Sequence, residues 1–294
     1  PDDRTYANTM FEFVDGNVYT SYAANCGWGD NLCSDADFNS LDATDRIPGV
    51  DTYTFDGNTL LWDENSRVVL FECDGGIMLN GYMGKLWILN SKGKKSQVSG
   101  VPSVFEGGQG GLGDVVKHPN YDTNKLVYIS YITSKDNGKT RFATIIRASL
   151  DTLNKPNLRN IENIWDQSPA VSGKGHFSHR ITFGLENSKH AGKVFITSGD
   201  RQKQSPAQSM NSALGKIIRL IDDGSIPEDN PFQNSGSLAK TFWTLGHRNS
   251  LGIAFSNTGD LWAHEMGPRH GDELNLIKSG NNYGWPIVSE GNHY

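Results

Sequence analysis

Residues 253–265 read IAFSNTGDLWAHE. A short apolar alternation runs into the turn-forming stretch from Ser256 to Asp260, and a second alternation follows. Period-two alternation marks a strand with one face on a core, and an Asn/Gly turn between two such runs marks an antiparallel hairpin. The pattern stands again at FEFVDGNVYTSY (11–22), DTYTFDGNTLLW (51–62), GGIMLNGYMGKLWIL (75–89) and AGKVFITSGD (191–200). The one tempting helix, AQSMNSALGKIIRLIDD (207–223), is split by Gly215, and the β-branched KIIRLI beyond it is expected to be a strand. No exact internal repeat is visible. Many short strands, tight turns and longer polar connections nevertheless suit radially repeated four-stranded sheets better than a sandwich of this length. An all-β propeller is therefore expected, with loops distant in sequence gathered at one mouth of its channel.

Composition agrees. The 294 residues include 36% hydrophobic and 10% aromatic residues, 33 glycines and 11 prolines, enough for a real core and rich in turns. A formal net charge of -6 argues against a nucleic-acid surface, which needs a basic face to displace counterions from phosphates. No apolar run reaches the 18 or so residues that span a bilayer. The start, PDDRTYANT, has neither a basic nor an apolar segment, and the missing initiator Met fits a removed export signal and a truncated record equally. Cys26 and Cys33 share a polar loop and Cys73 is left over, so a 26–33 disulfide and three free thiols both stay open. Residues 1–58 are acidic and Asn-rich and are expected to form an extension or insertion, with the propeller over 59–294.

Directly after the opening hairpin comes HEMGPRHGDELN, 264–275. His264-Glu265 looks like the start of a zinc HExxH, yet position 268 is proline and Gly267-Pro268 would break the helix that motif needs. Backbone carbonyls beside carboxylates are instead the hard oxygen ligands that calcium prefers. Four other loops carry candidate chemistry. FEGGQGGLGDVVKHP (105–119) sets Gln109 among glycines, which let a ligand approach the backbone; a plain glycine turn is the alternative. SGKGHFSHRITF (172–183) places His176 before a strand, where a lone loop histidine is more often a surface residue. SGDRQKQSPAQ (198–208) follows an expected strand directly and sets Asp200 and Arg201 in its loop; an ordinary surface ion pair is the alternative. LGHRNSLGIAF (245–255) offers the Arg248 guanidinium and Asn249 amide to something electron-rich.

Taken in order, GGQGGL, VYISY, LGKIIRL, DDGSIPEDNPF, LGHRNSLGIAF, GPRHGDELNLI and NNYGWP (281–286) resemble the glucose/sorbosone dehydrogenase family, the soluble quinoprotein aldose sugar dehydrogenases, over residues 59–294. The resemblance implies a six-bladed β-propeller, placed in the periplasm or secreted, that binds pyrroloquinoline quinone (PQQ) and calcium. An aldose sugar would be oxidised at C1 to the lactone, with hydride passing to PQQ and electrons on to an external acceptor. By position, His176 would be the catalytic base and Arg248 would stabilise charge on the reduced quinone. Gln109, Arg248, Asn249 and Tyr294 would bind the cofactor. Gly267 and Pro268 would offer carbonyls to one calcium, and Glu273 with the Tyr283 carbonyl would serve a second. The family continues past the position of Tyr294 through further blades that supply basic residues for the PQQ carboxylates, so the propeller is expected to be incomplete at the C-terminus. Ser178 and His179 stand where the family keeps small residues. The rival expectations are a non-catalytic extracellular binding propeller and a calcium-dependent lactonase-type hydrolase.

Overall fold

The computed structural model describes strands at 10–14, 17–21, 52–55, 58–61, 71–73 and 76–81, and residues 84–292 apart from 91–94 and 154. Cys26, Cys33, Tyr294 and most of residues 1–58 lie outside the described residues. Two of the expected hairpins form upstream: β1 (Met10–Val14) with β2 (Asn17–Ser21), and β3 (Thr52–Phe55) with β4 (Asn58–Leu61).

Four antiparallel sheets follow, each a meander in chain order. The first comprises β5 (Phe71–Cys73), β6 (Gly76–Gly81), β7 (Lys85–Asn90) and β8 (Lys95–Val98). The second comprises β9 (Leu112–Lys117), β10 (Leu126–Thr133), β11 (Phe142–Asp151) and β12 (Asn157–Asp166). The third comprises β13 (Ser178–Phe183), β14 (Lys193–Ser198), β15 (Lys216–Ile221) and β16 (Phe242–Leu245). The fourth comprises β17 (Ser250–Phe255), β18 (Leu261–Glu265) and β19 (Glu273–Ile277). KIIRLI is thus a strand, and IAFSNTGDLWAHE is the β17–β18 hairpin, Phe255 facing Leu261 across the turn. The sheets are blades of a β-propeller whose ring does not close within these residues, and the first strands β9, β13 and β17 lie against one another at its centre.

Cores form between blades. Strand β10 sends Val127 and Ile129 to the cluster shared with the first sheet, and Tyr128 and Ile132 to the cluster shared with the third. Strand β14 likewise turns Val194 and Ile196 to the second sheet and Phe195 to the fourth. A strand buried on both faces needs apolar residues at consecutive positions, which is why KVFITS lacks clean alternation. Each such side chain contributes about 1.5–3 kcal/mol by leaving water.

The meander also sorts the loops. Successive connections alternate between the two ends of a sheet, so the link into a sheet and the turn between its second and third strands share one end. That end collects the loops ahead of β9, β13 and β17 and the turns β14–β15 and β18–β19.

Candidate active site

His176 ends the loop ahead of β13 and is 5% exposed, which excludes the surface reading. Its backbone N–H donates to Gln109 Oε1 at 2.6 Å, and its carbonyl accepts from the N–H of Arg201 at 3.2 Å. Its Nδ1 lies 2.7 Å from Asp200 Oδ1. Asp200 follows β14 by two residues and is wholly buried. The Gly199 backbone packs against the His176 carbonyl so closely that a methyl there would overlap it. Three more donors reach the Asp200 carboxylate: the N–H groups of Gln202 (2.8 Å) and Gln204 (3.1 Å), and the indole Nε1 of Trp285 (2.8 Å). Burial alone would push this carboxyl up, but the His176 hydrogen bond and charge, with the Trp285 and Gln202 donors, hold it below the ordinary aspartate value.

Arg201 removes the alternative of a surface ion pair at 200–201. It is 1% exposed, and its guanidinium donates to three carbonyls, those of Gly175 (2.9 Å), Arg141 (2.8 Å) and Gly173 (2.8 Å), while lying 3.5 Å from the Phe177 ring centroid. Burial first, and then the Arg141 charge, bring its pKa down to about 9. Arg201 therefore clamps the loop that delivers His176. The clamped backbone is strained: His176, Ser178 and His179 have φ of 49°, 58° and 52°, and Arg201, Gln202 and Gln204 have 56°, 58° and 61°. Left-handed backbone at non-glycine residues costs free energy and concentrates at functional sites. His179 points away from the histidine loop, toward Ser130 Oγ at 2.8 Å, and occupies the space a side chain at Gly113 would need.

On the next blade, Arg248 and Asn249 enter β17. The Arg248 N–H donates to Glu265 Oε1 at 2.7 Å, and Glu265 Oε2 also takes Ser250 Oγ (2.6 Å) and faces His247 Nδ1 (3.1 Å). Glu265 is therefore a buried brace for the loop rather than half of a zinc motif. Arg248 Nη1 donates to the Met266 carbonyl at 2.9 Å, the Met266 N–H donates to the Asn249 carbonyl at 3.0 Å, and Ser178 Oγ donates to Asn249 Oδ1 at 3.1 Å. The Arg248 carbonyl accepts from the Asp200 N–H at 2.8 Å, which joins this group to the histidine loop.

Gly267 and Pro268 follow Met266 directly and are both buried. The Gly267 N–H donates to Asp272 Oδ1 at 3.0 Å, and the Pro268 carbonyl accepts from the Gly271 N–H at 2.9 Å. Glu273 starts β19 opposite Glu265 and accepts from Asn275 Nδ2 at 3.0 Å. The Tyr283 hydroxyl donates to the Leu276 carbonyl at 2.7 Å and accepts from the Lys278 N–H, and its ring stacks on His247 at 4.7 Å. No hydrogen bond among the described residues joins Glu273 to Tyr283. No group of three or more His, Cys, Asp or Glu side chains able to hold a metal ion forms among them either, so a cation here would depend on backbone oxygens.

One hydrogen-bonded cluster thus contains Gln109, His176, Arg248, Asn249 and, adjoining, Gly267-Pro268. Sequence reasoning missed Asp200, Trp285 and Glu265 as members. For Asp200 the signal was available: a residue after the second strand of a sheet falls at the same end as the loops entering the sheets. Within this cluster Gln109 Nε2, Asn249 Nδ2 and Arg248 Nε are buried and have no hydrogen-bond partner among the described residues. Three such buried donors in one hydrogen-bonded cluster suit an electron-rich ligand, since each unmet buried donor otherwise costs about 1–3 kcal/mol. The donors suit a group carrying oxygen acceptors, and the backbone of buried Gly267 and Pro268 adjoins them.

The family model described as glucose/sorbosone dehydrogenase matches residues 64–294. The aldose sugar dehydrogenase YliI of Escherichia coli strain K12 is 36% identical over 204 residues, covering 69% of this chain and 53% of that protein. Quinoprotein glucose dehydrogenase B of Acinetobacter calcoaceticus is 32% identical over 261 residues, covering 79% of this chain and 50% of that protein. The chain spans about half the length of these relatives. Among solved structures, the soluble aldose sugar dehydrogenase of Escherichia coli in its apo form superposes with a TM-score of 0.71 at 33% identity, covering 76% of this chain and 64% of that one. The PQQ-bound aldose sugar dehydrogenase of Streptomyces coelicolor gives 0.65 at 28% identity, covering 76% and 63%.

Proposed function

The chain belongs to the glucose/sorbosone dehydrogenase family, and from that membership we propose that the protein oxidises an aldose sugar at C1 to its lactone, using PQQ and calcium and passing electrons to an external acceptor, in the periplasm or outside the cell. The observation that carries the reading is the coincidence of a buried His-Asp pair with three unpartnered N–H donors at one mouth. Bound there, PQQ would supply an electrophilic carbonyl for hydride and calcium would polarise it.

The chain's own residues have distinct tasks. Asp200, held ionised, takes the Nδ1–H of His176 and so fixes the tautomer whose Nε2 is an acceptor. Nε2 then accepts the proton of the sugar's anomeric hydroxyl as hydride leaves C1. Arg248 places positive charge where negative charge develops, and burial strengthens that effect. Gln109 Nε2 and Asn249 Nδ2 orient the cofactor, a role the family resemblance also assigns to Tyr294. The carbonyls of Gly267 and Pro268 would hold one calcium, and Glu273 with the Tyr283 carbonyl a second.

The deciding assay presents the protein with an aldose, PQQ, calcium and an artificial electron acceptor. Dye reduction that requires all four is expected. Turnover without the dye would point to a hydrolase, and binding without turnover to a decoy; either outcome defeats the reading. Replacing His176 with Gln is expected to lower kcat on the order of a hundredfold or more while the absorption spectrum of bound PQQ persists.

A further inference from the structure

Trp285 stands two residues after Tyr283 in NNYGWP, and the reaction above gives it no task. It is 6% exposed. Its Nε1 lies 2.8 Å from Asp200 Oδ2, and the Arg248 guanidinium lies 5.3 Å from its ring centroid. Its backbone is fixed from both sides, since its N–H donates to the Gly246 carbonyl at 3.0 Å and its carbonyl accepts from Gln208 Nε2 at 2.6 Å. Gln208 and Asn282 further exchange two amide hydrogen bonds, of 3.0 and 2.6 Å. The indole is therefore held in a rigid frame before it reaches the carboxylate.

The donors to Asp200 are not equivalent. Those from Gln202 and Gln204 come from the residue's own turn and would travel with it. The indole reaches across 85 positions from beyond β19, outside both the histidine loop and its sheet. We propose that Trp285 is a positioning residue, whose N–H and ring face hold the Asp200 carboxylate, and through it His176, in fixed relation to Arg248. This rests on the reaction proposed above. Withdrawing the N–H leaves Oδ2 with one donor, so the carboxylate becomes more basic, pulls harder on His176 Nδ1–H and favours the protonated imidazole. The charged groups around this pair are Asp200 itself, Arg248 beyond the indole, and Arg201, whose guanidinium is spent on the carbonyls of Gly173, Gly175 and Arg141.

The test is Trp285→Phe in the full-length protein, which keeps an aromatic ring and removes the N–H. In the variant kcat is expected to fall roughly tenfold, KM for the sugar to stay nearly unchanged, and the acid limb of kcat/KM to move to higher pH. Without PQQ, calcium or sugar, the 15N resonances of His176 in histidine-labelled protein are expected to titrate at higher pH in the variant than in the unmutated protein. An unmoved titration, or a loss confined to KM, overturns the proposal. Should the variant fail to fold, the unmutated protein decides: the Trp285 indole N–H resonance is expected to shift with the same midpoint as the His176 imidazole, and an indole that ignores that titration overturns it. Both NMR readings are free of cofactor and substrate, so they fail only if the coupling is absent. Lack of dye reduction by the unmutated protein would instead strike the reaction itself.

Discussion

Asp200 serves both the proposed chemistry and the fold. Its four donors favour the ionised carboxylate despite full burial, and its own N–H ties two blades together. Asp200→Asn is expected to lower kcat on the order of a hundredfold or more, because the amide no longer enforces the productive tautomer. The substitution also carries a pH signature. The folded carboxyl binds its proton less tightly than the unfolded chain does, so its contribution to stability is full above the ordinary value of 3.8 and is lost as pH falls through the lower folded value. Acid unfolding monitored by fluorescence is expected to show that extra loss in the unmutated protein and not in the variant. Arg201→Met would strand the buried carbonyls of Gly175 and Arg141 and free that of exposed Gly173, and is expected to cost roughly 2 kcal/mol in urea unfolding. The burial of these two residues was hard to read from sequence, although the place of Asp200 after a second strand was available. A polar dipeptide after a strand looks like solvent-facing turn, and only the third dimension reveals that the mouth closes over it. Gln109, His176, Arg248 and Asn249 were legible, because their order along the chain follows a family pattern and their spacing matches loops that the meander brings to one end.

The strand-turn-strand signals marked most blades correctly, since Asn, Asp and Gly at tight turns act locally and need no tertiary information. What alternation could not convey was which strands are covered on both sides. His190 shows the consequence, packed among the rings of Phe195, Trp243 and Phe255 between the third and fourth sheets. Burial first, and the Arg219 charge next, push its pKa from 6.5 down to about 4. The unfolded chain therefore takes up a proton in that window while the folded protein does not, so stability declines as pH is lowered from 6.5 to about 4. His190→Phe is expected to flatten this part of the stability-pH curve measured by thermal unfolding. Packing between the second and third sheets is equally specific. Gly113→Ala would collide with the His179 ring and is expected to destabilise by about 1–3 kcal/mol, and adding His179→Ala is expected to recover part of that loss.

Across the whole molecule the site exists only as an agreement among blades. Hydrogen bonds run from Gln109 to His176, from Asp200 to Arg248 and from Arg248 to Met266, so no single sheet contains the chemistry. A cation held by the carbonyls of Gly267 and Pro268 would tighten this agreement by mass action, contributing about 2.7 kcal/mol at a hundredfold excess over its Kd. Calorimetry is expected to register a lower Tm after chelation with EGTA and recovery when calcium is restored. The sorting of loops has one more outcome, for anyone wishing to attach something to this protein. The 256–260 connection sits at the end opposite the mouth, is largely exposed, and is closed by its own Ser256, Thr258 and Asp260 contacts. A reporter peptide or fresh termini grafted there would ride on the back of the fourth sheet and leave the His176–Asp200 cluster at the far face untouched.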